Sequence, residues 1–360
     1  MTVTDRGTSP LTMGVEEEFV LLDSDTGALA PVASQLLAGL EGHAGIKPEA
    51  MRYQLETVTG VCASLEQVAR EVAQRREIAA EAAERLGCHL LASGVAPGCL
   101  PGLAPLTDHP RYRELARRHP RLVATTGTCG CHVHIGIPSR EMGLQVIGRL
   151  RPWLATLLAI SANSPIADHR DTTWASWRYR RWSRWPSATA PRAWPSVEDY
   201  DAEVRALIRS GKILDERSAY FYARLSPRYP TVEVRVMDTC LSVDDTVLVA
   251  ALVRAMVATA MEDVRAGTPV TPLPDHHVAA ALRAAARHGP GGLTVALPDR
   301  IALAEPVSTR LAEFVQRGTG AERQRVLWNR SSTLQEFAKL MADATLGSAV
   351  PAPSRSEYVV

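Results

Sequence analysis

In residues 231–237, Thr-Val-Glu-Val-Arg-Val-Met, polar and apolar side chains alternate strictly as far as Val236. A period of two marks a strand with one packed face and one polar face. Residues 13–22 (MGVEEEFVLL) and 130–137 (GCHVHIGI) read as two further strands of this kind. Side chains at i and i+2 of a strand share a face. Glu16 and Glu18 therefore point together, as do His132 and His134, and Glu233 and Arg235. Val15, Glu17 and Phe19 turn to the reverse side, with Cys131, Val133 and Ile135 and with Val232, Val234 and Val236. A substitution at Glu17 is expected to cost turnover far less than one at Glu18.

Helical segments separate these strands. Ser64 with Gln67 forms a capping-box pattern ahead of an Ala/Glu/Arg helix that should stop near Gly87. Asp244 or Asp245 is expected to cap an apolar helix over 246–260, with more helix at 276–287, 306–316 and 332–344. Shorter strands are expected at 89–94 and 220–225. Strands and helices do not alternate in βαβ order. The pattern predicts an α+β fold, an antiparallel sheet packed against helices. One catalytic domain over 11–346 would lie between a flexible leader, 1–10, and a loose tail, 347–360.

If the three alternating strands share a sheet, their polar faces gather three carboxylates, two imidazoles and a guanidinium. Crowded carboxylates repel unless cations neutralise them, and hard divalent ions with oxygen ligands are the fitting partners. For any single pair a solvated outer face explains the pattern equally well. The repetition on three strands, with Gly14, Gly130 and Gly136 leaving room, favours a ligand site.

Other function classes find less support. The 40 basic and 39 acidic residues nearly cancel, so no overall field draws the chain to nucleic acid or a membrane. No apolar run approaches the roughly 20 residues of a membrane span. The first ten residues lack an apolar signal core, and the six cysteines are scattered. Free thiols and a cytoplasmic location are expected. Cys129 and Cys131 lack the C-x-x-C spacing of zinc or redox sites. Gly211-Lys212 lacks the rest of a phosphate loop, and no G-x-G-x-x-G occurs. Between Trp174 and Trp194 lie five tryptophans and the arginines 178, 180, 181, 184 and 192. With so little net charge, a lid over an anionic substrate suits this segment better than single-strand stacking.

Six segments in order along nearly the whole chain carry a family resemblance. They are G-V-E-E-E-F at 14–19, Q-L-E-T-V-T-G-V-C at 54–62, G-C-H-V-H-I-G at 130–136, A-N-S-P with R-D-T at 162–172, P-T-V-E-V-R-V-M-D at 230–238 and G-T-G-A-E-R-Q-R at 318–325. Together they resemble the second glutamate–cysteine ligase family, the carboxylate–amine ligases. The resemblance implies a curved antiparallel sheet related to glutamine synthetase and the guanidino kinases. It implies ATP-dependent amide formation through an acyl-phosphate, with γ-glutamyl transfer to cysteine or another small-molecule amine. Glu16, Glu18, Glu56 and Glu233 would then hold Mg²⁺ or Mn²⁺, and His132 would contact metal or phosphate. Arg235 and Arg325 would stabilise phosphate, with His134 on the nucleotide side. Thr59, Arg178, Tyr222 and Arg224 would serve the amino-acid substrates. Tyr222 stands where the family has an acid, and Val95-Ala96 where it has His-Pro, so the acceptor amine stays open. A homo-oligomer stays open too. Two other activities suit parts of the pattern. His132-x-His134 imitates a metal-dependent hydrolase, and a small-molecule kinase would stop after phosphoryl transfer.

Overall fold

The computed structural model describes residues 11–40, 45–98, 105–270, 272–292 and 307–352. The expected leader and the last eight residues of the expected tail lie outside these; 347–352 hold no helix or strand. The strands are β1 (Met13–Asp23), β2 (Ile46–Pro48), β3 (Gln54–Val58), β4 (Cys88–Leu91), β5 (Gly130–Gly136), β6 (Ile166–Ala167), β7 (Arg170–Asp171), β8 (Ala223–Leu225) and β9 (Thr231–Asp238). Seven of them form one antiparallel sheet in the order β2-β3-β1-β5-β9-β8, with β4 on the far half of β1 beyond β5; β6 and β7 pair separately. The three strands with alternating sequence are therefore immediate neighbours. Among the described residues this antiparallel sheet is not the parallel (β/α)₈ barrel on which an H-x-H hydrolase motif is usually carried.

The reverse side of the sheet follows from the alternation. Val15, Val133, Ile135, Val232, Val234 and Val236 enter one apolar core with Val247, Leu248 and Leu252 of the helix Val243–Arg265. Burying each such side chain stabilises the fold by about 1.5–3 kcal/mol. Phe19 and Leu21 face a second core with Leu36, Leu55 and Ala79. The helix Leu65–Glu84 packs on both β1 and the helix Val243–Arg265.

Glu17 breaks the apolar pattern of that reverse face. It is 1% exposed and is met by Arg76, also 1% exposed, from the helix Leu65–Glu84. Arg76 donates from Nη2 to Glu17 Oε1 at 2.6 Å and from Nε to Oε2 at 3.0 Å. It also donates to the carbonyls of Cys240, Leu241 and Thr345 at 2.9–3.0 Å. One guanidinium thus fastens β1 to the end of β9 and to the last turn of the helix Leu334–Thr345.

The helix ends follow local chemistry. Ser64 accepts from Gln67 N, but the Gln67 side chain accepts from Ala63 N rather than closing on Ser64. Gly87 takes φ +66°, a conformation L side chains avoid, as the chain leaves that helix. The cap of the 246–260 helix is Ser242, neither Asp244 nor Asp245. Asp245 occupies the third helical position and completes a capping box back to Ser242. Other expected helices appear as Asp275–His288, Val307–Arg317 and Leu334–Thr345. No helix among the described residues is long and apolar enough to cross a membrane.

Candidate active site

Register turns the separate polar pairs into one surface. Glu16 lies opposite His132, Glu18 opposite Glu56, and His134 opposite Glu233. Directly paired residues share a sheet face, so the four carboxylates and two imidazoles converge. A β-bulge helps. Cys131 pairs with Met237 and Val133 with Val234, so two β9 residues oppose the single His132. Arg235 lies beside His132 at this bulge, with Nη1 3.3 Å from Nδ1. It also brings Asp238 rather than Met237 opposite Gly130, on the side of the histidines.

The surface floors a cleft of about 300 Å³ lined by Glu16, Glu18, Glu49, Glu56, His132, His134, Glu233 and Arg235, with Lys47, Arg111, Trp182 and Tyr220 among its walls. Two sets of three ligand groups stand out. Glu16, His134 and Glu233 have donor atoms within 4.8 Å of one another, and so do Glu18, Glu49 and Glu56. His132 bridges the sets, with Nδ1 3.1 Å from Glu16 and Nε2 3.9 Å from Glu18.

The two sets differ electrically. Burial opposes ionisation of Glu16, but the hydrogen bond with His132 and the nearby imidazole of His134 outweigh it and hold the carboxyl far below the usual range. Burial likewise opposes ionisation of Glu233, and the charges of Arg235 and Arg224 overcome it. Arg235 donates to one Glu233 oxygen and Arg224 to both, through Nε at 2.8 Å and Nη2 at 3.2 Å. The second set has less relief, from Lys47 beside Glu56. Burial first, then Glu18 and Glu56, push Glu49 up to about 8. Burial first, then Glu16, push Glu56 up to about 7, against the pull of Lys47, 3.4 Å away. Burial first, then the charge of Arg235, push His132 down.

Divalent cations fit this donor set. Three crowded carboxylates with one lysine beside them keep an excess of negative charge that a cation would balance. His134 Nε2 is buried with no hydrogen bond, 3.5 Å from Glu16 and 3.9 Å from Glu233. Oxygen-rich ligands match Mg²⁺ or Mn²⁺ better than zinc.

Five residues assigned to ligands by sequence stand away from the cleft. Thr59 Oγ1 accepts from Val15 N and donates to Gly60 O, so its hydroxyl is spent on backbone. Arg178 is 2% exposed and donates to the carbonyls of Val236 and Arg235. Tyr222 is buried with its ring 5.8 Å from Tyr179. Arg224 reaches Glu233 from the neighbouring strand and donates also to the carbonyls of Arg217 and Ala219. It supports a cleft residue instead of lining the cleft. Arg325 grips Asp171 at 2.8 and 3.2 Å and the Trp174 carbonyl at 3.0 Å. The rest of the 318–325 motif is similarly engaged: Gln324 donates to Asn163 at 2.8 Å, and Arg323 to Asp245. The tryptophan–arginine segment expected to be a lid is a packed wall, with Tyr179 and Trp185 buried and Trp182 facing the cleft.

Sequence reasoning missed Glu49. It follows β2 in a turn without periodicity, and only the return of β3 alongside β2 brings it to Glu18 and Glu56. Its spacing of seven from Glu56 is the sole sequence hint.

Comparison with known proteins agrees with this architecture. The sequence profile of glutamate–cysteine ligase family 2 matches residues 12–329. A Salinispora tropica protein provisionally named glutamate–cysteine ligase 2 is 44% identical over 345 residues, covering 89% of this chain and 91% of the relative. A Mycobacterium sp. (strain KMS) protein provisionally named glutamate–cysteine ligase 2-2 is 40% identical, covering 93% and 98%. Among solved structures, the Francisella tularensis glutamate–cysteine ligase in complex with AMP superposes with TM-score 0.67 at 13% identity, covering 97% of this chain and 91% of that one. A bifunctional glutathione synthetase from Pasteurella multocida gives TM-score 0.63 at 16% identity; this chain covers 53% of its length. Those two structures share the fold. With matches of this length and identity, the chain belongs to glutamate–cysteine ligase family 2.

Proposed function

We propose that this protein is an ATP-dependent carboxylate–amine ligase that activates a carboxylate as its acyl-phosphate, with the γ-carboxylate of glutamate as the acid. The observation that carries the reading is the pair of adjoining three-ligand sets on one sheet face, with Arg235 beside them. Glu16, His134 and Glu233 would hold one Mg²⁺ or Mn²⁺, and Glu18, Glu49 and Glu56 a second, with His132 between. Cations bound there would offset the charge of the triphosphate.

The substrate carboxylate attacks the γ-phosphorus and ADP leaves, giving the acyl-phosphate. Arg235, held by Glu233, offsets charge on the transferring phosphoryl group. The amine then attacks the acyl carbon, expels phosphate and loses a proton, leaving the amide. Trp182, Trp185 and Tyr220 wall the cleft on one side, which limits water near the activated acid. The names of the relatives support glutamate and cysteine as the substrate pair.

The test measures phosphate release from ATP across amino acids supplied singly and in pairs, with hydroxylamine as a trap. A hydroxamate that requires both ATP and the acid supports the mechanism. AMP and pyrophosphate as products would sink it, and a stable phosphorylated product without amide would indicate a kinase.

A further inference from the structure

The bulge interrupts the β5–β9 ladder at Arg235 and Val236, the two β9 residues set against the single His132. Beyond it the ladder resumes, with Cys131 opposite Met237 and Gly130 opposite Asp238. On the outer edge of β9, pairing with β8 ends at Val234, and the Tyr222 carbonyl just before β8 accepts from Arg235 N at 2.8 Å. Both carbonyls of the bulge share one further donor. Arg178 Nη1 donates to Val236 O at 3.2 Å, and Nη2 to Arg235 O at 3.3 Å. One guanidinium therefore spans the two residues where the ladder is locally disrupted.

Arg178 is itself held from several sides. Its guanidinium passes over Gly130, where a Cβ would collide with Nη2, and lies 5.7 Å from the ring of Trp182, a wall of the carboxylate cleft. Its backbone N–H donates to Ser164 Oγ at 3.0 Å. Ser164 Oγ donates in turn to Asp238 Oδ2 at 2.6 Å. Ser176, the cap of the short helix Trp177–Trp182, donates to Asp238 Oδ1 at 2.8 Å. Asp238 belongs to β9, close beyond Arg235 on the same strand. The strand that carries Arg235 thus sets, through Asp238, the segment that carries Arg178, and Arg178 returns to the carbonyl of Arg235. Arg178, Ser164, Ser176 and Asp238 are all buried, and a buried polar network of this kind favours one geometry.

We propose that Arg178 is a positioning residue: by holding the two carbonyls of the bulge, it aims the Arg235 guanidinium at the transferring phosphoryl group. Glu233 and His132 flank the Arg235 side chain, but the direction in which that side chain leaves β9 follows from the backbone of the bulge. The effect on turnover rests on the ligase reading; the positioning itself does not.

The experiment compares Arg178→Met and Arg178→Lys with wild type in ATP-dependent hydroxamate formation, per folded molecule, and in crystal structures. Arg178→Met should lower kcat at least about tenfold, because a displacement of about 1 Å at the reacting groups can cost about 100-fold. KM for ATP and for glutamate should stay within about threefold. Arg178→Lys keeps a charge and a donor, so its kcat should fall between the two. In an Arg235→Met background the Arg178→Met change should cost less than about twofold, since a residue that acts through Arg235 has nothing left to act on. Equal factors in both backgrounds would mark a purely structural role and overturn the proposal. A raised KM for glutamate at unchanged kcat would overturn it too, as the sign of direct substrate contact. In the crystals, Arg235 Nη1 of the variants should move by about 1 Å or more from its place 3.3 Å from His132 Nδ1; an unmoved Arg235 refutes the proposal. Should Arg178→Met fail to fold, Arg178→Lys carries the same comparisons. No ATP turnover by wild type with any amino acid would sink the ligase reading, and the crystal comparison would then decide the positioning alone.

Discussion

The buried pair behind the carboxylate-bearing face offers the sharpest test of how this sheet is held. Replacing Arg76 by Met removes a guanidinium that donates to Glu17, to three backbone carbonyls and to Thr246 Oγ1. Glu17, 1% exposed, keeps only Thr246 Oγ1, at 2.6 Å. Removing one member of a buried ion pair costs about 3–5 kcal/mol, because the other charge stays buried without compensation. Total stability for a protein is about 5–15 kcal/mol, so the single variant should lose a large share of it. In Glu17→Leu/Arg76→Met neither charge is buried, and what remains is the three carbonyls without donors that Arg76→Met also leaves. The double variant should therefore be less destabilised than the sum of the singles, by about 2 kcal/mol or more. Urea denaturation followed by tryptophan fluorescence measures both quantities. A loss under about 1 kcal/mol for Arg76→Met, or strict additivity, would refute the argument. The pair also changes what is expected of Glu17→Gln. Turnover per folded molecule should hold while folding stability falls, so activity must be normalised to folded protein.

Three further outcomes follow from the same geometry. Glu18→Gln and Glu233→Gln should each lower turnover by about 100-fold or more if they hold catalytic metals, and Glu49→Gln should match them; a Glu49 variant with wild-type kinetics would remove it from the site. Chelation should abolish ATP turnover, with recovery in Mg²⁺ or Mn²⁺; recovery in zinc alone would contradict the oxygen-rich assignment. Gly130→Ala places a Cβ 2.4 Å from Arg178 Nη2 and 3.1 Å from His132 Nε2. Because Arg178 is buried and bound to two carbonyls, the variant should lose about 1–3 kcal/mol of stability in thermal unfolding; an unchanged melting temperature would show that Arg178 can move freely.

The sequence by itself determined the faces. Alternation in 13–22, 130–137 and 231–237 states which side chains travel together, because the strand repeat is a local property of the backbone. It also placed the main helices, through apolar runs and their flanking residues. Tertiary structure decided which strands are neighbours, and in what register. The β5–β9 bulge shows why: strict alternation alone puts Met237 beside Arg235, whereas the extra residue opposite His132 brings Asp238 round instead. Glu49 became part of the surface only through the β2–β3 return, and Arg76 found Glu17 across 59 residues. Arg325 and Arg178 appear in motif-like segments, and the fold pairs them with Asp171 and with backbone carbonyls, since a guanidinium reads the same in sequence whether its partner is a phosphate, a carboxylate or a carbonyl. Such pairings depend on long-range contacts that close only when the core forms, and local patterning does not encode them.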